Sequence, residues 1–177
     1  MPVRRMFRRS IIGAAVYLVI SITVLGCQST RKNDSSLNSK EDIRAVQQTV
    51  DSWLNNAIAH LDTAGVARYL TPTFGSTEPV GWLDRHSFLE WITTFEKDFG
   101  GPFTLKYSLH DWHTKVHGDV AWTSLTNDGI LTVKGQRPKY MRWAESGVLV
   151  RQPDGRWLID QYHSTFLGFQ KPDSVKQ

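Results

Sequence analysis

Apolar positions change their period about half-way along this chain. Between residues 39 and 99 they recur every three or four residues, the spacing of helices. Beyond residue 103 they fall into short alternating runs, the spacing of strands. Ser39 followed by Asp42 reads as an N-terminal capping box, and Val46, Val50, Trp53, Leu54, Ala57 and Leu61 then form one helical stripe. Asp62 caps a second, short helix predicted to reach Leu70, where Thr71-Pro72 closes it. Residues 74–80 are short and irregular, enough for one small strand. Leu83 or Asp84 opens a third helix whose apolar positions are Phe88, Leu89, Trp91, Ile92, Phe95 and Phe99, and Gly100-Gly101-Pro102 stops it.

The second half predicts strands at 103–116, 120–126, 130–133, 140–151 and 157–166. Turn signals separate most of them: His117-Gly118-Asp119, Asn127-Asp128-Gly129 and Pro153-Asp154-Gly155. Short connections make neighbouring strands antiparallel. Helices first and strands after is an α+β order. The fold class expected is N-terminal helices packed on a curved antiparallel sheet, the one surface available to their apolar stripes.

The first 39 residues are of another kind. Arg4, Arg5, Arg8 and Arg9 precede an apolar or small run over 11–25, and Val24-Leu25-Gly26-Cys27 closes it. Cys27 is the only cysteine of 177 residues. The arrangement resembles a bacterial lipoprotein signal peptide, which implies cleavage after Gly26 and lipidation of Cys27. A membrane-spanning helix is the competing reading. Residues 11–26 as a helix span about 24 Å, short of a hydrocarbon core of about 30 Å. The uncharged run over 10–30 could stretch to fit, and the cysteine after a small residue is what favours the lipoprotein. Arg4-Arg5-Met6-Phe7 also resembles a twin-arginine signal, with Val3 in place of the usual Ser or Thr, which leaves Sec export as the expectation. The chain thus divides into a signal peptide (1–26), a lipidated Cys and polar tether (27–40), one domain (41–167) and a C-terminal tail (168–177). The implied location is the bacterial cell envelope, anchored by acyl chains. Gln28, where an Asp would retain a lipoprotein at the inner membrane, points to the outer membrane of a Gram-negative host.

Charge changes with that division. Four of the 21 Lys and Arg and none of the 17 Asp and Glu precede Cys27, so 17 of each remain after it. A nucleic-acid partner needs a surplus of basic charge, and none is expected here.

Three stretches carry a second resemblance. One is Leu61-Asp62 followed by residues 66–70. Another is Gly118-Asp119-Val120-Ala121-Trp122. The third is Gly147-Val148-Leu149-Val150-Arg151, then Asp154-Gly155-Arg156-Trp157, then His163-Ser164. Their order resembles the SnoaL-like group of the nuclear-transport-factor-2-like superfamily over about residues 41–166. The resemblance implies a cystatin-like cone: a helix pair, a short strand, a helix and a four-strand meander bent around a pocket. It also implies, in many members, a homodimer across the sheet's outer side. The fold alone does not fix a function.

Alternation on the last strand puts Trp157, Ile159, Gln161, His163 and Thr165 on one face, taken as the pocket face. His163 is a candidate acid–base or donor group. Glu78-Pro79 falls where the resemblance to ketosteroid isomerases places a catalytic carboxylate. The isomerases' two oxyanion donors fall near Ser52 and Trp53 and near Leu149, which cannot replace them, so steroid-type isomerisation is not expected. Trp53, Trp122, Arg142, Trp157 and Gln161 are expected to line the pocket. His110, Asp111, His113 and His117 fail as metal ligands on a regular strand. His110 and His113 face opposite ways, and His113 and His117 stand about 13 Å apart. No cofactor motif is present, neither a Gly-rich phosphate loop nor a Walker sequence. Three functions remain open: a binding module for a small apolar molecule, an enzyme moving protons on a small carbonyl compound with Glu78 and His163, and an envelope scaffold.

The lipoprotein reading makes a direct prediction. The mature protein should show an intact mass beginning at Cys27 with acyl groups added, and Cys27→Ser should leave the chain unanchored. A full-length mass with an unmodified thiol would refute it.

Overall fold

A computed structural model describes residues 39–174. The expected signal peptide, Cys27 and most of the expected tether lie outside the described residues. Helix α1 spans Lys40–Asn56 and a 3-10 turn Ile58–His60 follows it. Then come α2 (Thr63–Arg68), β1 (Leu70–Glu78), β2 (Gly81–Asp84), α3 (Arg85–Ile92) and α4 (Phe95–Phe99). Four long strands complete the domain: β3 (Phe103–His117), β4 (Val120–Val133), β5 (Lys139–Arg151) and β6 (Trp157–Gln170). A 3-10 turn, Pro172–Ser174, ends the described chain.

Capping side chains open the helices where the sequence places them. Ser39 Oγ accepts from the Asp42 amide at 3.0 Å, Asp62 from Gly65 at 2.8 Å and Asp84 from Ser87 at 2.8 Å. The predicted third helix is broken in two at Thr93 and Thr94. Their hydroxyls donate back to the carbonyls of Glu90 at 2.6 Å and Trp91 at 2.9 Å, competing with the helical ladder.

The sheet is mixed, not wholly antiparallel. Its order is β2-β1-β6-β5-β4-β3, and β1 runs parallel to β6. The chain between those two strands holds two helices and three long strands, ample for the crossover a parallel pair needs. Residues 70–84, expected as the end of a helix and one small strand, form a two-strand hairpin instead. Val46, Val50 and Trp53 of α1 and Phe88 and Ile92 of α3 pack on Phe74, Leu149 and Ile159 of the sheet, all buried.

Asn127-Asp128-Gly129 is not a turn. It lies inside β4, which is continuous from Val120 to Val133. Each of the three has a specific neighbour there. Asn127 Nδ2 donates to Glu145, Asp128 pairs with Arg142, and Gly129 leaves room for the Trp143 ring, which a Cβ would meet at 2.6 Å. The tail expected from residue 168 is also partly built. β6 continues to Gln170, and the Ser174 carbonyl accepts from Arg142 Nη2 at 2.8 Å.

Three β-bulges decide which side chains face the helices. In β6 the register shifts between the pairs Leu149↔Ile159 and Val148↔Gln161, leaving Asp160 as the extra residue. Its carboxylate accepts from Thr71 Oγ1 at 2.7 Å and Thr73 Oγ1 at 2.8 Å on β1. A second shift lies at Leu167, between Trp143↔Phe166 and Arg142↔Gly168. In β3 a third lies between His110 and His113, where Asp111 takes φ 53°.

Candidate functional site

The bulge at Asp160 exchanges the faces of β6 near its start. Trp157 and Ile159 point to the helices, as the alternation predicts. Beyond the bulge Tyr162, Ser164 and Phe166 point inward and Gln161, His163 and Thr165 point out. This corrects the predicted pocket face for its second half.

The inward side chains enclose a cavity of about 460 Å³ between the sheet and the helices. Trp53, Phe88, Trp91 and Phe95 form its helical wall, and Tyr107, Trp143 and Phe166 belong to its sheet wall. Ring contacts join these residues. Trp53 meets Tyr162 edge-on with centroids 4.6 Å apart, and Trp91 meets Phe95 at 4.7 Å.

Three carboxyls line this space: Asp98 is exposed and accepts from Thr94 Oγ1 at 2.7 Å, while Glu78 and Glu145 are buried within it. Register brings the buried two together. β1 pairs Thr77 with His163, and β5 pairs Glu145 with Ser164. One step further along β1, Glu78 lies beside Ser164, so Glu78, Ser164 and Glu145 form one row across three strands. Their backbones are two strand spacings apart, about 9.5 Å, and both side chains reach into the gap.

Glu145 is the better held. Its Oε2 accepts from the Tyr162 hydroxyl at 2.7 Å, and its Oε1 accepts from Asn127 Nδ2 at 3.2 Å and Ser164 Oγ at 3.4 Å. Burial nevertheless wins over these three donors and lifts its pKa to about 7. Glu78 Oε1 accepts from Ser76 Oγ. Burial is the main cause lifting Glu78 to about 7, Ser76 opposes it, and the charge on Glu145 adds to it. Two carboxyls that repel across such a space titrate as a pair, and near neutrality they hold about one proton between them. Burial raises the pKa of the Tyr107 hydroxyl, and the charges on Glu145 and Glu78 raise it further. This hydroxyl makes no hydrogen bond among the described residues, which leaves it as a donor for a bound molecule.

The residues singled out from the sequence divide. Glu78 and Trp53 line the cavity. His163 does not join Glu78. It is exposed on the outer face, with Nε2 2.8 Å from Thr165 Oγ1, so the Glu78–His163 acid–base pair does not form. Gln161 faces outward with it. Trp122 stands on the outer face opposite Val148 and is 45% exposed. Arg142 is on that face too, gripping Asp128 through Nε at 2.6 Å and Nη2 at 2.9 Å, and the pairing raises its pKa. Trp157 is buried under the Arg151 guanidinium, 4.6 Å from its ring centroid, and borders a separate groove beside α1. The β3 bulge puts His110 and His113 on one face, opposite Thr126 and Ser124, which corrects the alternation assumed for them. His110 is bonded to Asp111 at 2.8 Å and Asp128 at 3.0 Å.

A SnoaL-like domain family matches residues 46–167. The chain belongs to the SnoaL-like family. Solved structures agree on the fold of this SnoaL-like domain. A ketosteroid isomerase-like protein from Erwinia carotovora atroseptica is 15% identical, with a TM-score of 0.59 over 73% of this chain and 99% of that one. ActVI-ORFA from Streptomyces coelicolor is 14% identical, with a TM-score of 0.62 over 73% and 98%. The CaMKII hub of S. rosetta is 23% identical, with a TM-score of 0.55 over 70% and 95%. No curated protein sequence matches the chain. These likenesses show the fold alone.

Glu145, Tyr107 and Tyr162 were missed by sequence reasoning. A signal for Glu145 existed: alternation of residues 141–149 sets it in line with Met141, Trp143 and Leu149 on an apolar face. Tyr162 was hidden by the bulge.

The raised carboxyls make stability depend on pH. Folded, both release their protons near 7; unfolded, near 4.5. Between those values the folded chain holds more protons, so stability falls as pH rises through that window. At about 1.4 kcal/mol for each pKa step, one such carboxyl withdraws up to ~3 kcal/mol by pH 8. Thermal denaturation should show a melting temperature that drops from pH 5 to pH 8, and Glu145→Gln should flatten the drop. An unchanged slope in the variant would contradict the assignment.

Proposed function

We propose that the domain binds a small, largely apolar carbonyl compound and moves a proton on it, in the manner of an isomerase or dehydratase. Glu78 is the base. Ser76 engages only one of its oxygens, whereas three donors engage Glu145. Glu78 takes the proton from the carbon next to the carbonyl as that C–H bond breaks. The electron pair moves onto the carbonyl oxygen, which accepts hydrogen bonds from Tyr107 and from the protonated member of the carboxyl pair. The proton then returns from Glu78 to another carbon, or to a leaving oxygen. The observation that carries this reading is one row of Glu78, Ser164 and Glu145 in a cavity walled mainly by aromatic and aliphatic side chains. A base near neutrality in a largely apolar site suits proton abstraction at physiological pH.

A non-catalytic binding module shares the same cavity and differs only in leaving the ligand unchanged. Lipid attachment at Cys27 to a bacterial envelope membrane, the outer one in a Gram-negative host, remains part of the proposal. So does pairing with a second copy across the outer sheet face, where Val120 and Trp122 are exposed; sedimentation equilibrium reads it directly.

Deuterium uptake separates the two cavity readings. Small aromatic and alicyclic ketones incubated with the protein in D2O should gain deuterium next to the carbonyl. Glu78→Gln should slow this about 10²- to 10⁴-fold while retaining the ketone in equilibrium dialysis. Uptake no faster than in buffer, with ketone bound, would leave the binding module.

A further inference from the structure

The mouth of the cavity is apolar on the outside as well as within. Val80, Phe166 and Phe169 line the cavity and are also 61%, 41% and 67% exposed. Leu167, pushed out by the second β6 bulge, is 53% exposed between them. Phe166 and Phe169 meet edge-on with centroids 5.4 Å apart, so they present one continuous apolar edge. A water-filled entrance for a polar substrate would not need such a rim, and clustered exposed apolar side chains mark a surface that meets another apolar phase.

We infer that this rim docks shallowly into a lipid bilayer, so that the cavity exchanges its ligand with the membrane rather than with water. The occupant is argued from the chain itself. Ser39 caps α1 at the end away from the cavity, while Leu54, near the other end, lines it. The 17 residues of α1 separate those ends by about 25 Å at 1.5 Å per residue. From Cys27 to Ser39 is 12 steps, an extended reach of about 40 Å. An acyl group on Cys27 therefore leaves the tether longer than α1, the reach the rim needs to approach the bilayer that holds the anchor. The anchor confines the domain to that surface, and the rim then needs only weak affinity of its own to dock. The ligand this implies is a lipid-dissolved carbonyl compound, because an apolar molecule of the cavity's size partitions into hydrocarbon.

The inference takes its ligand chemistry from the acid–base reading, and its test is independent of turnover. The acylated mature protein is reconstituted in vesicles of phosphatidylethanolamine and phosphatidylglycerol at about 3:1. Because the Cys27 sulfur is occupied by lipid, Leu167→Cys offers one free thiol for an environment-sensitive nitrobenzoxadiazole label. Gln161→Cys, on the outer sheet face, is the control. The label at 167 should brighten several-fold and be quenched by lipid-borne doxyl groups, and the label at 161 should do neither. Deleting residues 29–34 halves the reach to about 20 Å, less than the length of α1, and should abolish the signal at 167. Equal quenching at both positions, quenching at 167 that survives the deletion, or brightening at 167 caused by self-association without lipid each overturns the inference. Deuterium uptake on a soluble ketone reports the chemistry separately, so either result can fail alone.

Discussion

Glu145 sits in a space walled by Trp53, Tyr107, Trp143 and Tyr162, and its carboxyl is kept there by Tyr162, Asn127 and Ser164. Burying a charge in such a place is unfavourable unless it is paired or neutralised. Among the described residues no cation lines this cavity, and the nearby acid, Glu78, has the same sign. The pair meets the constraint by retaining a proton near neutral pH. From that follow the acid–base capacity of the site and the loss of stability at high pH.

Bulges are what make this site possible on these strands. Without Asp160 as an extra residue, His163 and Gln161 would face the helices and Tyr162 and Ser164 would face out. Glu145 would then lose two of its three donors. Thr71 and Thr73 hold the Asp160 carboxylate and fix the bulge to the irregular part of β1. The second bulge performs a related task at the mouth, turning Leu167 outward while Phe166 and Phe169 stay over the cavity. Polar demands on the other side of the sheet are met separately, by Arg142, Asp128 and His110.

Much of the architecture was legible in the sequence, because helical periodicity, capping side chains and strand alternation are local signals. Ser39, Asp62 and Asp84 cap helices where their spacing says they should. What could not be read depends on partners distant in the chain. Asn127-Asp128-Gly129 has the composition of a turn and becomes a strand only because Glu145, Arg142 and Trp143 lie opposite. Glu78 was legible because it precedes a proline at a recognisable place. The face of His163 was not, since a single extra residue reverses a strand's parity, whereas Arg142 follows the regular alternation of β5 that sets Met141, Trp143 and Glu145 inward. The cavity's chemistry came from tyrosines and a glutamate that look ordinary in isolation.

The central claim is that Glu78 and Glu145 share a proton near neutral pH, and carboxyl ¹³C NMR titration reads it residue by residue. The chain has five glutamates. The account predicts that Glu78 and Glu145 titrate around 7, each bending the other's curve. Finding both in the ordinary carboxylate range would contradict it.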